Sequence, residues 1–187
     1  MNKGAEGRQD YLQQEASDLL LLKDRKPTPE RLALVTAALS HKFEGIQSVA
    51  LQVLGSWGDA PSTEKLRDFL QRAFARQYGW SIRGVAIRQL MPNIGAQDAD
   101  WVLDLYFGLP DALSMHEVFP LVLKLPVETA RKRLIQELRN PKWMNRQASV
   151  KAIGNMRFAD KSALLRPLLN DSDDRVRGSA ILLSGPR

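Results

Sequence analysis

Few side chains in this sequence have the types and spacing for chemistry. Trp80 and Trp143 each stand three residues ahead of an arginine, as Trp80-Ser-Ile-Arg83 and Trp143-Met-Asn-Arg146. An indole and a guanidinium one helical turn apart suit phosphate contact with base stacking at the mouth of a groove. The plainer role is for each Trp to fill a turn between helices while a turn carboxylate holds the Arg. Asp98, Asp100 and Asp104 surround Trp101 in AQDADWVLDLYFG. Asp100 and Asp104 share a helix face, and a carboxylate beside an indole could act as a catalytic acid. Acids in a first helical turn also simply complement the helix dipole. His41 reads as a turn or helix C-terminal residue, and His116 has Glu117 beside it but no third partner by spacing. The chain has no cysteine, which excludes a thiol nucleophile, a disulfide framework and a thiolate zinc site. Two histidines are too few for a multi-histidine metal centre. A nucleophile elbow, a phosphate-cradling glycine loop and an HExxH pair are all missing. Neither a metal nor a cofactor is expected, and an enzyme here would work without the usual local signatures.

The charge is concentrated at one end. The 187 residues carry 27 Lys and Arg against 21 Asp and Glu, a net of +6. Residues 1–125 hold 14 basic and 15 acidic side chains, whereas 126–187 hold 13 and 6. The whole excess lies in the last third, which attracts polyanions or an acidic protein face. A solvated basic surface that keeps the protein in solution is the alternative. Apolar residues make up 44% and aromatics 7%. The longest apolar run near the N-terminus, Leu19 to Leu22, is too short for a signal peptide or a membrane span. A soluble, cytoplasmic protein without a membrane role is the expectation.

The elements that position these residues emerge from internal repetition. Four ten-residue segments align without gaps: Ile46–Gly55, Ile82–Met91, Asn145–Gly154 and Val176–Gly185. Column five reads Ala50, Ala86, Ser149 and Ala180, all small, and column ten is Gly in three of four. Column two reads Gln47, Arg83, Arg146 and Arg177. The starts lie 36, 63 and 31 residues apart, so a degenerate copy belongs near Met115–Leu125, where Pro120 would kink or shorten the helix. Each copy follows another helical stretch. One is capped by Thr28 with Pro29 at its first position, the next is capped by Ser62, and others span 96–107, 127–138 and 159–169. An N-terminal helix is expected over 10–22, after a disordered segment Met1–Asp10. The expected fold is all-α: one domain over 11–187, a right-handed α-solenoid of about five stacked helix pairs. At 100° per residue, columns three and seven fall outside the apolar arc and form a polar ridge: Ser48 and Gln52, Gly84 and Arg88, Gln147 and Lys151, Gly178 and Leu182.

The segments DSDDRVRGSAILLSG, NPKWMNRQASVKAIGNM and FEGIQSVALQVLGSWG resemble HEAT and HEAT-like repeats over most of residues 28–187. The resemblance implies a curved helical scaffold of the kind that binds other macromolecules. It also implies a turn aspartate holding the arginine of the following helix, here Asp173 or Asp174 for Arg177. The stretches KWMNRQASVKAIGNM and ADWVLDLYFG are loosely similar to segments of the AlkD-like alkylpurine DNA glycosylases. That likeness implies Asp104 as the catalytic aspartate, Trp101 and Trp143 as aromatic walls and Arg146 as a phosphate clamp. Trp101 stands one residue closer to the aspartate than the family spacing.

These readings combine into a non-enzymatic, macromolecule-binding scaffold, first of all a protein–protein interaction module. Its contact residues would be Arg83, Arg88, Lys142, Trp143, Arg146, Lys151 and Arg177, and its partner a protein with an acidic surface. One alternative is a nucleic-acid binder or AlkD-like glycosylase with Asp104 catalytic. Another is an assembly or chaperone-like factor, which an apolar groove would favour.

Overall fold

In the computed structural model, the backbone of residues 3–185 and the side chains of residues 10–185 are described. All regular structure among the described residues is helical. The helices are α1 (Lys3–Leu20), α2 (Pro29–Ala38), α3 (Glu44–Trp57), α4 (Ala60–Ala75), α5 (Trp80–Leu90), α6 (Ala99–Gly108), α7 (Ala112–Lys124), α8 (Val127–Glu137), α9 (Trp143–Asn155), α10 (Lys161–Leu165) and α11 (Asp174–Ser184). The chain divides into two compact units, Met1–Asn93 and Ile94–Arg187.

Side-chain caps start many of these helices where the sequence places short oxygen-bearing residues. Thr28 Oγ1 accepts the Arg31 N–H at 3.3 Å, with Pro29 opening α2. The cap of α4 is Asp59 rather than the expected Ser62. Asp59 accepts the Ser62 N–H at 3.0 Å, which leaves Ser62 buried in the first turn behind Pro61. Asp111 and Asp173 start α7 and α11 in the same way. Of the Met1–Asp10 stretch expected to be disordered, Met1 and Asn2 lie outside the described residues and Lys3–Asp10 open α1. Ala, Glu, Arg and Gln there favour helix, and no proline interrupts before Pro27. The helix expected over 159–169 is split: α10 ends at Leu165, and Pro167 leaves Arg166–Asn170 as a tight 3-10 turn. By contrast, α7 runs through Pro120 for 13 residues.

In the first unit α3 contacts α1 and α5, with α2 and α4 against it. Ala50, Leu51, Val53, Leu54, Leu66 and Leu70 there have no exposed surface. In the second unit α9 contacts α7, α8 and α11. The repeat columns acquire a common geometry. All four column-five residues have no exposed surface. A Cβ on Gly55 would come within 2.7 Å of Gln89 Cβ, and one on Gly154 within 2.7 Å of Leu183 Cβ. Each unit therefore brings a column-ten glycine against the column-eight residue of the following copy, so α5 lies on α3 as α11 lies on α9. Column one is buried Ile46, Ile82 and Val176, but also Asn145. The Asn145 amide is there because it donates to Glu137 Oε2 at 3.2 Å. That buried carboxylate also accepts from Arg133 Nε at 2.9 Å and Asn140 Nδ2 at 2.6 Å.

Candidate binding site

The ridge position of α9 leads into a cleft. Lys151 and Gln147 stand one turn apart on α9, facing His116, Met115 and Phe119 of α7 across a space of about 170 Å³. Tyr106 and Ala148, both buried, contribute to its floor. The Tyr106 hydroxyl donates to the Ala148 carbonyl at 3.4 Å, and burial pushes its pKa up, so it stays neutral. Gln147 is held from the side: its Nε2 donates to the Arg175 carbonyl at 3.1 Å and to Ser179 Oγ at 3.2 Å. Lys151 and His116 are exposed at the rim. A cation and an imidazole above an apolar floor suit an anionic group carried on an apolar stem.

Several sequence candidates prove to be committed to the fold. Arg146 holds Asp171 with both prongs, Nε to Oδ2 and Nη2 to Oδ1, each at 2.7 Å. Its Nη1 donates to the carbonyls of Asn140 at 2.9 Å and Pro141 at 3.1 Å. The two side chains are only 12% and 7% exposed. These hydrogen bonds hold the Asp171 carboxyl below the usual carboxylate range. Arg146 is therefore a tie from α9 to the turn before α11, and its guanidinium has little left to offer a partner. Trp143 is half-buried under Arg175, whose guanidinium carbon sits 3.3 Å from the ring centroid. Arg175 in turn pairs with Asp173 at 2.7 Å, which draws that carboxyl down to about 2. Arg177 pairs with Asp174, three residues before it on α11, and donates to the Asp171 carbonyl at 2.5 Å.

The remaining candidates are exposed or dispersed. Lys142 and Arg88 are exposed. The ring beneath Arg83 is that of Phe74, 4.8 Å away, while Trp80 is 77% exposed. Asp104 is 70% exposed and 3.5 Å from Arg133, and the α7–α9 cleft includes none of Asp104, Trp101 and Trp143. Asp98 is buried and accepts the Gly95 N–H at 2.8 Å and Gln97 Nε2 at 2.9 Å. His41 Nδ1 accepts the Phe43 N–H at 3.2 Å, and its Nε2 lies 3.8 Å from Glu15. Five arginines of the basic third are paired with carboxylates: Arg131, Arg133, Arg146, Arg175 and Arg177. Among the described residues, the exposed positive charge of this third rests on Lys132, Arg139, Lys142, Lys151, Arg157 and Arg166.

Asp171 and His116 matter more than their sequence context suggests. Asp171 follows Arg146 by 25 residues, and His116 lies in the copy blurred around Pro120. Only His116 has a positional signal, 33 residues after Arg83 and so close to one repeat period, whereas Asp171 falls on no repeat column.

Among the described residues no group of three or more His, Asp or Glu could hold a metal ion, and no helix is long and apolar enough to cross a membrane. Neither protein-family models nor curated proteins give a match to this chain.

Proposed function

We propose that the chain is a non-enzymatic HEAT-like scaffold, a right-handed α-solenoid whose second helices present a ridge to an acidic segment of a partner protein. The observation that carries this reading is the α7–α9 cleft. Lys151, a ridge residue by repeat position, and His116 stand over a floor of Tyr106, Phe119 and Ala148. Such a cleft is matched by an aspartate or glutamate flanked by an apolar side chain. Support for the repeat assignment comes from Gly55 against Gln89 and Gly154 against Leu183, the same column pairing in both units. The contact set that fits this role is Lys151 and Lys142 in the second unit; in the first unit, Arg88 holds the same repeat column as Lys151. Arg146 and Trp143 instead hold α9 to α11 and the turn before it.

Peptide display on the purified protein tests the proposal. Enriched peptides should carry an acid next to an aliphatic or aromatic residue. Lys151→Glu should weaken their binding by about tenfold or more, by loss of an attractive charge and gain of a repulsive one. Because Lys151 is exposed, the melting temperature should not change. Enrichment without acids, or binding indifferent to Lys151→Glu, would sink the reading. Duplex DNA bound at physiological salt would move the function to nucleic acid.

A further inference from the structure

Among the described residues, two apolar faces are uncovered, and their surroundings carry opposite charge. The first is a groove of about 480 Å³ between α1 and α2, lined by Leu19, Leu22, Leu34 and Ala38. Leu34 is 57% exposed. The charged groups along its wall are Glu15 and Asp18, with His41 beside Glu15, and no Lys or Arg lines it among the described residues. Single exposed leucines are ordinary, but a continuous apolar groove with a rim of one sign marks a docking surface.

The second face is on α11. Column six of the repeat reads Leu51, Ile87 and Val150, all buried, and then Ile181, which is 63% exposed. Leu182 beside it is 83% exposed. An apolar identity is thus kept at a position where the fold of this chain leaves it uncovered. One turn before Leu182, Gly178 has nothing within 4 Å of where a Cβ would sit, so an approaching helix meets no obstruction. Arg175 and Arg177 are neutralised by Asp173 and Asp174. The local positive excess comes from Lys161 and the exposed Arg166. Lys161 is placed at the end of α11 by its neighbour Ser162, whose hydroxyl donates to the Ser184 carbonyl at 2.8 Å.

We infer that two copies of this chain associate head to tail, the Ile181–Leu182 face of α11 in one copy seating in the α1–α2 groove of another. The groove supplies an apolar floor and carboxylates, α11 supplies two large apolar side chains, and the α10 and 3-10 segments packed against α11 carry the cations Lys161 and Arg166. Helical repeats bury their apolar faces by stacking on a further repeat, and a second copy offers one. The contact joins two different patches, so it is heterologous.

Sedimentation velocity of the full chain over about 1–200 μM reads the association directly. The expected result is mass that grows with concentration and shrinks with added salt. Leu34→Glu and Leu182→Glu should each weaken self-association by roughly 30-fold, the value of about 2 kcal/mol for an unburied leucine. Both side chains are exposed, so the melting curve should not move, and Leu34→Ser with Leu182→Ser serve if either glutamate variant misfolds. The decisive sample is an equimolar mixture of the two variants. One retains an intact α11 and the other an intact groove, so the mixture should form a pair that grows no further. A monomer at the highest concentration would overturn the inference. So would self-association that neither substitution weakens, or a mixture that does not re-form the pair.

Discussion

Arg146→Met should cost this fold much more than Arg131→Met, although both arginines make a two-pronged bond to an aspartate. Arg131 meets Asp160 at 2.9 and 2.5 Å, but those side chains are 35% and 41% exposed, so water can replace much of the interaction. Arg146 and Asp171 are 12% and 7% exposed, and Arg146 also serves two backbone carbonyls. Methionine in its place would leave Asp171 nearly buried with only the Asp173 N–H, at 2.9 Å, still donating to it. Removing one partner of a fully buried pair costs about 3–5 kcal/mol, and the residual exposure here scales that to about 2–4 kcal/mol. For a chain of this size that is a fall of roughly 5–15 °C in melting temperature. Thermal melts should show it for Arg146→Met while Arg131→Met stays near the parent protein. Hydrogen exchange should localise the loss to α11. Arg146→Met with Asp171→Leu should recover a large part of the stability, because no buried charge is then left alone.

Acid titration gives a second view of the same tie. The Asp171 carboxyl is lowered from 3.8 in the fold, chiefly by the hydrogen bonds from Arg146. A carboxylate whose pKa is depressed by folding contributes its full stability above the unfolded value and loses it as pH falls through the folded one. The parent protein should therefore weaken below about pH 4, and Asp171→Asn, already weakened, should show a shallower decline there. Equal losses for the two methionine variants, or an unchanged acid profile in Asp171→Asn, would refute the assignment of Arg146 as a buried tie.

Two further outcomes follow from backbone geometry. Gly154→Ala should destabilise, because its methyl group would meet Leu183 Cβ at 2.7 Å. The overlap costs about 1–3 kcal/mol against a gain of at most about 1 kcal/mol in helix propensity. Gly178→Ala meets nothing within 4 Å and should raise stability by up to about 1 kcal/mol, so thermal melts of the pair should move in opposite directions. Gln77 ends α4 with φ at 53°, and the Tyr78 N–H closes the turn onto the Ala73 carbonyl at 2.8 Å. Gln77→Gly should stabilise by about 0.5–1 kcal/mol, read as a small rise in melting temperature.

Constraints that one residue satisfies alone were legible in the sequence, and constraints shared by two distant residues were not. Column five is small because it is fully buried in every copy, and column ten is glycine at Gly55 and Gly154 because the neighbouring second helix comes within a methyl group there. A repeating steric limit writes the same residue type at the same spacing, and alignment finds it. Thr28 was readable as a cap for the same reason. Ser62 was misread because Asp59 and Ser62 both suit a cap and lie one turn apart. The choice fell to Asp59, whose side chain satisfies the Ser62 N–H. The arginines of column two looked alike, yet Arg83 lies over Phe74, Arg146 closes on Asp171 and Arg177 pairs with Asp174. Their fates depend on what the adjoining turns deliver, which no single column records. The same holds for Asn145, an amide in an apolar column until Glu137 is seen to face it. In the candidate site, Lys151 was readable because its repeat position faces outward. His116 opposite was not, because its helix carries Pro120 and the copy there has lost its columns. The candidate cleft is half repeat and half exception: repetition places Lys151 on one wall, and the copy that departs from it supplies His116 on the other.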